Sequence, residues 1–136
     1  MVKFKDIRKY HFHVRHRAAA SGCTDDWNSI NYTAASRKKG TVWAMPLKFR
    51  DGSSLRFEEE ILIDDDGLAH RPSYAYHYEG PESHFHFRYD RDPEHHRAVV
   101  HEECHLHVIQ KEPRFKTHAT NFDEVFDFIV ACFYSR

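Results

Sequence analysis

Apolar and polar residues alternate with period two along most of this chain, and the period lengthens to that of a helix near the C-terminus. Tyr10, Phe12 and Val14 alternate with His11, His13 and Arg15, which predicts a half-buried strand. Ala18 to Asn28 is small and polar, contains Gly22 and Asp25-Asp26, and reads as a loop. Ile30, Tyr32 and Ala34 resume the alternation. Arg37-Lys38-Lys39-Gly40 is a basic turn, Val42 to Phe49 the next strand, and Asp51-Gly52 a strong turn signal. Leu55 to Ile63 follows as a strand, closed by Asp64-Asp65-Asp66-Gly67. Ser73 to Tyr78 and His84 to Asp90 form a hairpin around Glu79-Gly80-Pro81-Glu82-Ser83, and His105 to Ile109 is a last strand. Between them Asp92-Pro93 has the form of a helix cap followed by a first-turn proline. Asn121 can cap a helix from Phe122 to about Tyr134, whose Val125, Phe126, Ile129, Val130 and Phe133 share one apolar face. The expected fold class is α+β: a predominantly antiparallel β-sheet meander of roughly five to seven strands with the C-terminal helix packed on one face. The expected organisation is one domain over residues 1–136.

Composition narrows the function classes. With 136 residues, 40% hydrophobic and 30% charged, the chain can bury a real core and is not of disordered type. A formal net charge of −1 excludes a polycation, so a nucleic-acid site would have to be a local patch. No apolar run approaches the roughly 18 residues of a membrane span, and the N-terminus MVKFKDIRKYHFH has no signal-type apolar segment. Cys23, Cys104 and Cys132 are scattered, odd in number and without a C-x-x-C, which suits a reducing compartment. The expected location is cytoplasmic, with no membrane partner.

Histidine changes the picture. Thirteen are spread from His11 to His118, and histidine is the side chain that titrates nearest neutrality. His11, His13 and His16 read as solvated strand residues. Glu58-Glu59-Glu60 and Asp64-Asp65-Asp66 read mainly as solvated strand and turn, with only weak support for a divalent ion at the first.

The chemistry concentrates between His84 and His107. With Tyr76 paired to Phe85 or Phe87, the aromatics Tyr74, Tyr76, Tyr78, Phe85, Phe87 and Tyr89 share one face, and His77, His84, His86, Arg88 and Asp90 share the other. A one-residue slip would set Tyr76 opposite His86 and mix the faces. The first register buries six aromatics together and is preferred. His105 and His107 alternate with Leu106 and Val108. Arg88, Asp90, His95, His96, His105 and His107 are thus candidate catalytic residues. Metal-free RNA cleavage needs a base for the ribose 2′-proton, an acid for the departing 5′-oxygen, and a cation beside the phosphorus. Two histidines and an arginine supply these, and Asp90 could fix a histidine tautomer. The alternative is a divalent metal such as zinc held by His105, His107 and His95 or His96, in a hydrolase with one position open for water. A third reading is a non-catalytic nucleic-acid or protein-binding module. The plainer reading of each element is a solvated strand face with an exposed Arg88–Asp90 ion pair.

The succession Asp51-Gly52-Ser53 with Leu55 and Glu58, Tyr76-His77-Tyr78, Phe85-His86-Phe87-Arg88-Tyr89-Asp90, Pro93 with His95-His96, and His105-Leu106-His107-Val108 resembles the TumE family of bacterial toxin–antitoxin toxins. The resemblance spans roughly residues 40 to 130. It implies a toxin encoded beside a helix-turn-helix antitoxin and an activity directed at RNA. The expectation is therefore a metal-independent endoribonuclease toxin with no cofactor, an RNA substrate and a helix-turn-helix antitoxin partner. Homodimerisation is left open.

Overall fold

The N-terminal segment departs from its alternating pattern. A computed structural model describes residues 2–81, 86–91, 104–108, 114–116 and 119–133. In it Ile7–Ser21 is a helix, α1, and not the expected strand. The inward residues are Ile7, Tyr10, His11, Val14 and Ala18, which recur at helical spacing. Phe12, which alternation groups with Tyr10 and Val14, is 66% exposed. Asp6 caps the helix by accepting the Lys9 N–H at 2.9 Å. Gly22 ends it with φ 71°, a left-handed conformation that glycine adopts without steric cost.

The expected solvation of the N-terminal histidines is corrected with it. His11 is buried, and its Nε2–H donates to the Ile30 carbonyl at 2.8 Å. Burial holds its pKa below the usual histidine value, against the raising effect of that bond. His13 is half-buried and pairs with Asp123 at 2.8 Å. His16 alone is exposed, stacked on Phe12.

The strands follow the alternation. They are β1 (Asn31–Ser36), β2 (Lys39–Lys48), β3 (Ser54–Ile63), β4 (Ala69–His70), β5 (Tyr74–Glu79), β6 (His86–Arg91), β7 (Cys104–Val108) and β8 (Arg114–Lys116). They form one antiparallel sheet of eight strands in the order β1-β2-β3-β5-β6-β7-β8, with β4 added beside the end of β3. Each other neighbour in space is the neighbour in sequence, so the sheet is the expected meander. Two turns use the predicted chemistry. Asp51 Oδ1 accepts the Ser53 N–H beside Gly52, and Asp64 Oδ1 accepts the N–H groups of Asp66 and Leu68. The Asp92-Pro93 helical turn lies outside the described residues.

Helix α2 (Phe122–Phe133) starts where Asn121 accepts the Glu124 N–H at 2.9 Å. Its Phe122, Val125, Phe126 and Ile129 are buried against Phe49 and Phe57 of the sheet. Helix α1 lies on the same face, with its Ile7 beside Gly40 of β2 and its Tyr10 over Glu59 of β3. The helices are tied by His13–Asp123, Arg17–Asp123 and Arg17–Asp127. Val42, Ala44, Leu55, Phe57, Ile61, Tyr76, Tyr78 and Phe87 complete the core between helices and sheet. The opposite face carries the outward members of the alternation, polar Arg56 and Glu58 together with apolar Met45 and Leu62, exposed on β2 and β3. No helix among the described residues is long and apolar enough to cross a membrane.

Candidate functional site

The register of the central strands decides which polar residues meet. Tyr78 pairs with Phe87 and Tyr76 with Tyr89, which keeps the aromatics in phase, two residues along from the pairing expected for Tyr76. The slipped alternative with Tyr76 opposite His86 is absent, because it would turn a buried aromatic set toward water. The ring contacts are continuous: Tyr78 stacks on Phe87 at 5.3 Å, and Phe87 meets Tyr89 edge to face at 5.8 Å.

That phase sends the polar residues of β6 to the face without helices. Arg88 is opposite His77 on one side and opposite position 107 of β7 on the other. Asp90 is likewise opposite position 105. Directly opposite residues in an antiparallel pair occupy the same face about 5 Å apart. Arg88, Asp90, His105 and His107 therefore occupy a two-by-two block of register positions. His95 and His96 lie outside the described residues. So do the side chains of His105 and His107, and with them the metal set of the alternative reading. Among the described residues no three His, Cys, Asp or Glu side chains are grouped to hold a metal ion.

Within the block, Arg88 Nε donates to Asp90 Oδ1 at 2.9 Å, with the side chains 48% and 9% exposed. The guanidinium reaches solvent while the carboxylate beneath it is buried. A bond through Nε engages one of five guanidinium donors and fixes the plane in which the others point. The sequence suggests Asp90 as a residue that orients a histidine; its bond to Arg88 gives it a second object, the arginine.

A second polar cluster lies on the opposite face, where sequence reasoning had placed none. Glu59, expected to be solvated, is fully buried. It accepts from the Tyr10 hydroxyl of α1 at 2.6 Å, from the Tyr76 hydroxyl, from Arg71 Nε at 3.1 Å, and from the Phe122 N–H that opens α2 at 3.2 Å. Arg71 also donates to the Tyr10 hydroxyl at 3.0 Å and lies over that ring. The phenol groups of Tyr10 and Tyr76 are held well above the usual tyrosine range, first by burial and then by the Glu59 charge. Burial opposes the charge on Arg71, but its partners more than offset this, and its pKa is raised. The signal was available: Leu55, Phe57, Glu59, Ile61 and Ile63 are one inward row of β3. With one donor on Oε1, three on Oε2 and the α2 helix dipole aimed at it, this carboxylate joins the sheet to both helices and is an architectural site.

A family model described as Toxin TumE matches residues 24–132. No curated protein and no solved structure matches the chain. The matched stretch covers the whole sheet and nearly all of α2, and α1 precedes it.

Proposed function

The chain belongs to the TumE family of toxins, and from that premise we propose that it is a metal-independent endoribonuclease acting through Arg88 and the histidines of β7. Membership makes it the toxin component of a toxin–antitoxin system, with an antitoxin as partner. That the antitoxin is a helix-turn-helix protein and that the target is RNA are parts of the proposal. One observation carries it: the strand register aligns Arg88 with position 107 and Asp90 with position 105 on the face the helices do not cover.

In this reading the terminal nitrogens of Arg88 hold a phosphate oxygen and stabilise the charge that grows as the phosphorane forms. One histidine among His96, His105 and His107 removes the 2′-proton. The 2′-oxygen bonds to phosphorus, and the bond to the 5′-oxygen breaks. A second histidine, His95 included, protonates that oxygen as it leaves. The products are a 2′,3′-cyclic phosphate and a 5′-hydroxyl end, so no water or redox partner is consumed in the step. Asp90 is a positioning residue for Arg88.

The test is cleavage of RNA by purified protein in excess chelator, wild type beside Arg88→Ala and His107→Ala. Retained wild-type cleavage with a bell-shaped pH dependence, and losses of roughly a hundredfold to ten-thousandfold in the variants, is the expected result. Activity that disappears in chelator and returns with zinc or manganese overturns it in favour of a histidine-held metal. No cleavage under either condition, with RNA or protein bound tightly, overturns it in favour of a docking module.

A further inference from the structure

The pairing continues beyond Arg88 in both directions. Arg56 of β3 is opposite His77 of β5, His77 is opposite Arg88 of β6, Arg88 is opposite position 107, and position 107 is opposite Arg114 of β8. Three arginines and two histidines thus hold one register line running at right angles to five strands. At roughly 4.8 Å per strand spacing the line is about 19 Å long. Arg56 is exposed at one end, and Arg88 is half exposed at the middle. With a formal net charge of −1 the chain has no general positive field, so this basic line is a local feature of one face.

The neighbouring lines differ in character at the β3 and β5 end. On one side Glu58 is opposite Ala75, which is opposite Asp90, before the line continues to positions 105 and 116; on the other Ser54 is opposite Glu79, which is opposite position 86. Beside Arg56 and His77 the basic line is therefore one residue wide, with a carboxylate-bearing position in each flanking line. Its shape and charge suit one phosphodiester backbone crossing the strands. A duplex would bring its second backbone toward Glu58 or Glu79, and like charges there oppose it.

We infer that the line from Arg56 to Arg114 is the track of a single-stranded RNA, with Arg56 a substrate-anchoring residue that grips a phosphate away from the scissile one. This rests on the RNA-directed reading above and adds to it the strandedness of the substrate, its direction across the sheet and a residue outside the catalytic block. Position 56 is two strand spacings, about 10 Å, from position 88, so its contact falls on a different phosphate.

The experiment is binding of a fluorescent single-stranded RNA by anisotropy across a salt series. Wild type is compared with Arg56→Ala, Arg56→Glu and Arg56→Lys, with a duplex of the same sequence as competitor. Single-turnover cleavage at saturating RNA is read alongside. Because Arg56 is exposed, its variants are expected to keep the wild-type melting temperature. Arg56→Ala should weaken binding by up to about fivefold, the scale of one exposed charge contact. It should flatten the log–log salt dependence by about 0.7, the share of one phosphate on a single strand. Arg56→Glu should weaken binding further, and Arg56→Lys should restore most of it. The cleavage rate at saturation should stay at the wild-type value, with the loss confined to KM. Unchanged affinity and salt slope in Arg56→Ala, or a duplex that competes as well as the single strand, overturns the track even if cleavage through Arg88 is upheld. Arg56-dependent binding of single strands without any cleavage upholds the track and sinks the catalytic reading.

Discussion

Glu59→Ala is expected to be among the most damaging substitutions in the chain, although Glu59 is on the opposite face of the sheet from the proposed chemistry. The carboxylate is fully buried and has four donors around it: the Tyr10 and Tyr76 hydroxyls, Arg71 Nε and the Phe122 N–H. Its removal leaves a guanidinium that is only 16% exposed without its counter-charge. It also leaves the fully buried Tyr76 hydroxyl and the first N–H of α2 without an acceptor. Breaking a buried pair from one side costs about 3–5 kcal/mol. For a domain of this size that is a fall in Tm of roughly 10–20 °C. Tyr10→Phe removes one donor to Glu59 and one acceptor for Arg71 but leaves the ion pair, so its cost should be about 1–3 kcal/mol. Glu59→Leu combined with Arg71→Met removes both charges. It should recover part of the Glu59→Ala loss, and only part, because Tyr76 and Phe122 still lack their acceptor. The assay is a reversible thermal or urea melt of each variant followed by circular dichroism. A Glu59→Ala protein within about 0.5 kcal/mol of wild type, or a double variant no better than the single one, would refute the reasoning.

The remaining predictions concern the helices and their seat. His11 has a folded pKa below its ordinary 6.5, so its contribution to stability is complete above that value and declines as pH falls through 6.5 toward the folded pKa; wild type should lose urea resistance from neutral pH to about pH 5, and His11→Gln should lose less. Asp123 is held below its ordinary 3.8: burial pushes it up, but the His13 bond and the His13 and Arg17 charges pull it further down. The support it lends is present above 3.8 and lost as pH falls through the folded pKa, so Asp123→Asn should lower the urea midpoint most at neutral pH, with the difference shrinking as the pH falls below 3.8. A Cβ at Gly40 would come within 2.2 Å of the Thr33 carbonyl oxygen and 3.1 Å of Ile7 Cγ2, so Gly40→Ala should force β1 and β2 apart, lower Tm and speed proteolysis near α1; an unchanged melt would contradict the contact.

Much of the sheet was legible because β2, β3 and β5 bury one side only, and a period of two reports that directly. The C-terminal helix was legible for the matching reason, with Asn121 marking its start. α1 was misread because Tyr10-His11-Phe12-His13-Val14 satisfies a strand pattern if histidine counts as polar. Its inward stripe includes His11, whose ring is buried once Nε2–H finds the Ile30 carbonyl. Asp6 and Gly22, a cap and a stop fifteen helical residues apart, were the signals that should have outweighed the alternation. Glu59 was hidden by its own neighbours, since a run of three glutamates reads as solvated while strand parity turns the middle one inward. At the candidate site, the phase of the hairpin was decided correctly by aromatic burial, whereas the exact partner of Tyr76 was not, because a shift of two residues preserves the faces. The Arg88–Asp90 bond needed coordinates, since a pair two apart on a strand shares a face without having to touch.

The network around Glu59 also has an order of assembly written into it. Tyr10 is 49 residues upstream of the carboxylate, Tyr76 is 17 downstream and the Phe122 N–H is 63 downstream. A chain emerging from the ribosome presents α1 first, and α1 must wait for β3 before its tyrosine has an acceptor. The last donor arrives only with α2, after every strand of the meander has been synthesised. Closing that shell thus registers that the sheet and the start of α2 have been made, and a product truncated before Phe122 would hold a buried charge with an incomplete shell. Such fragments should open readily and be cleared by proteases, so the toxin's fold closes only once α2 has begun.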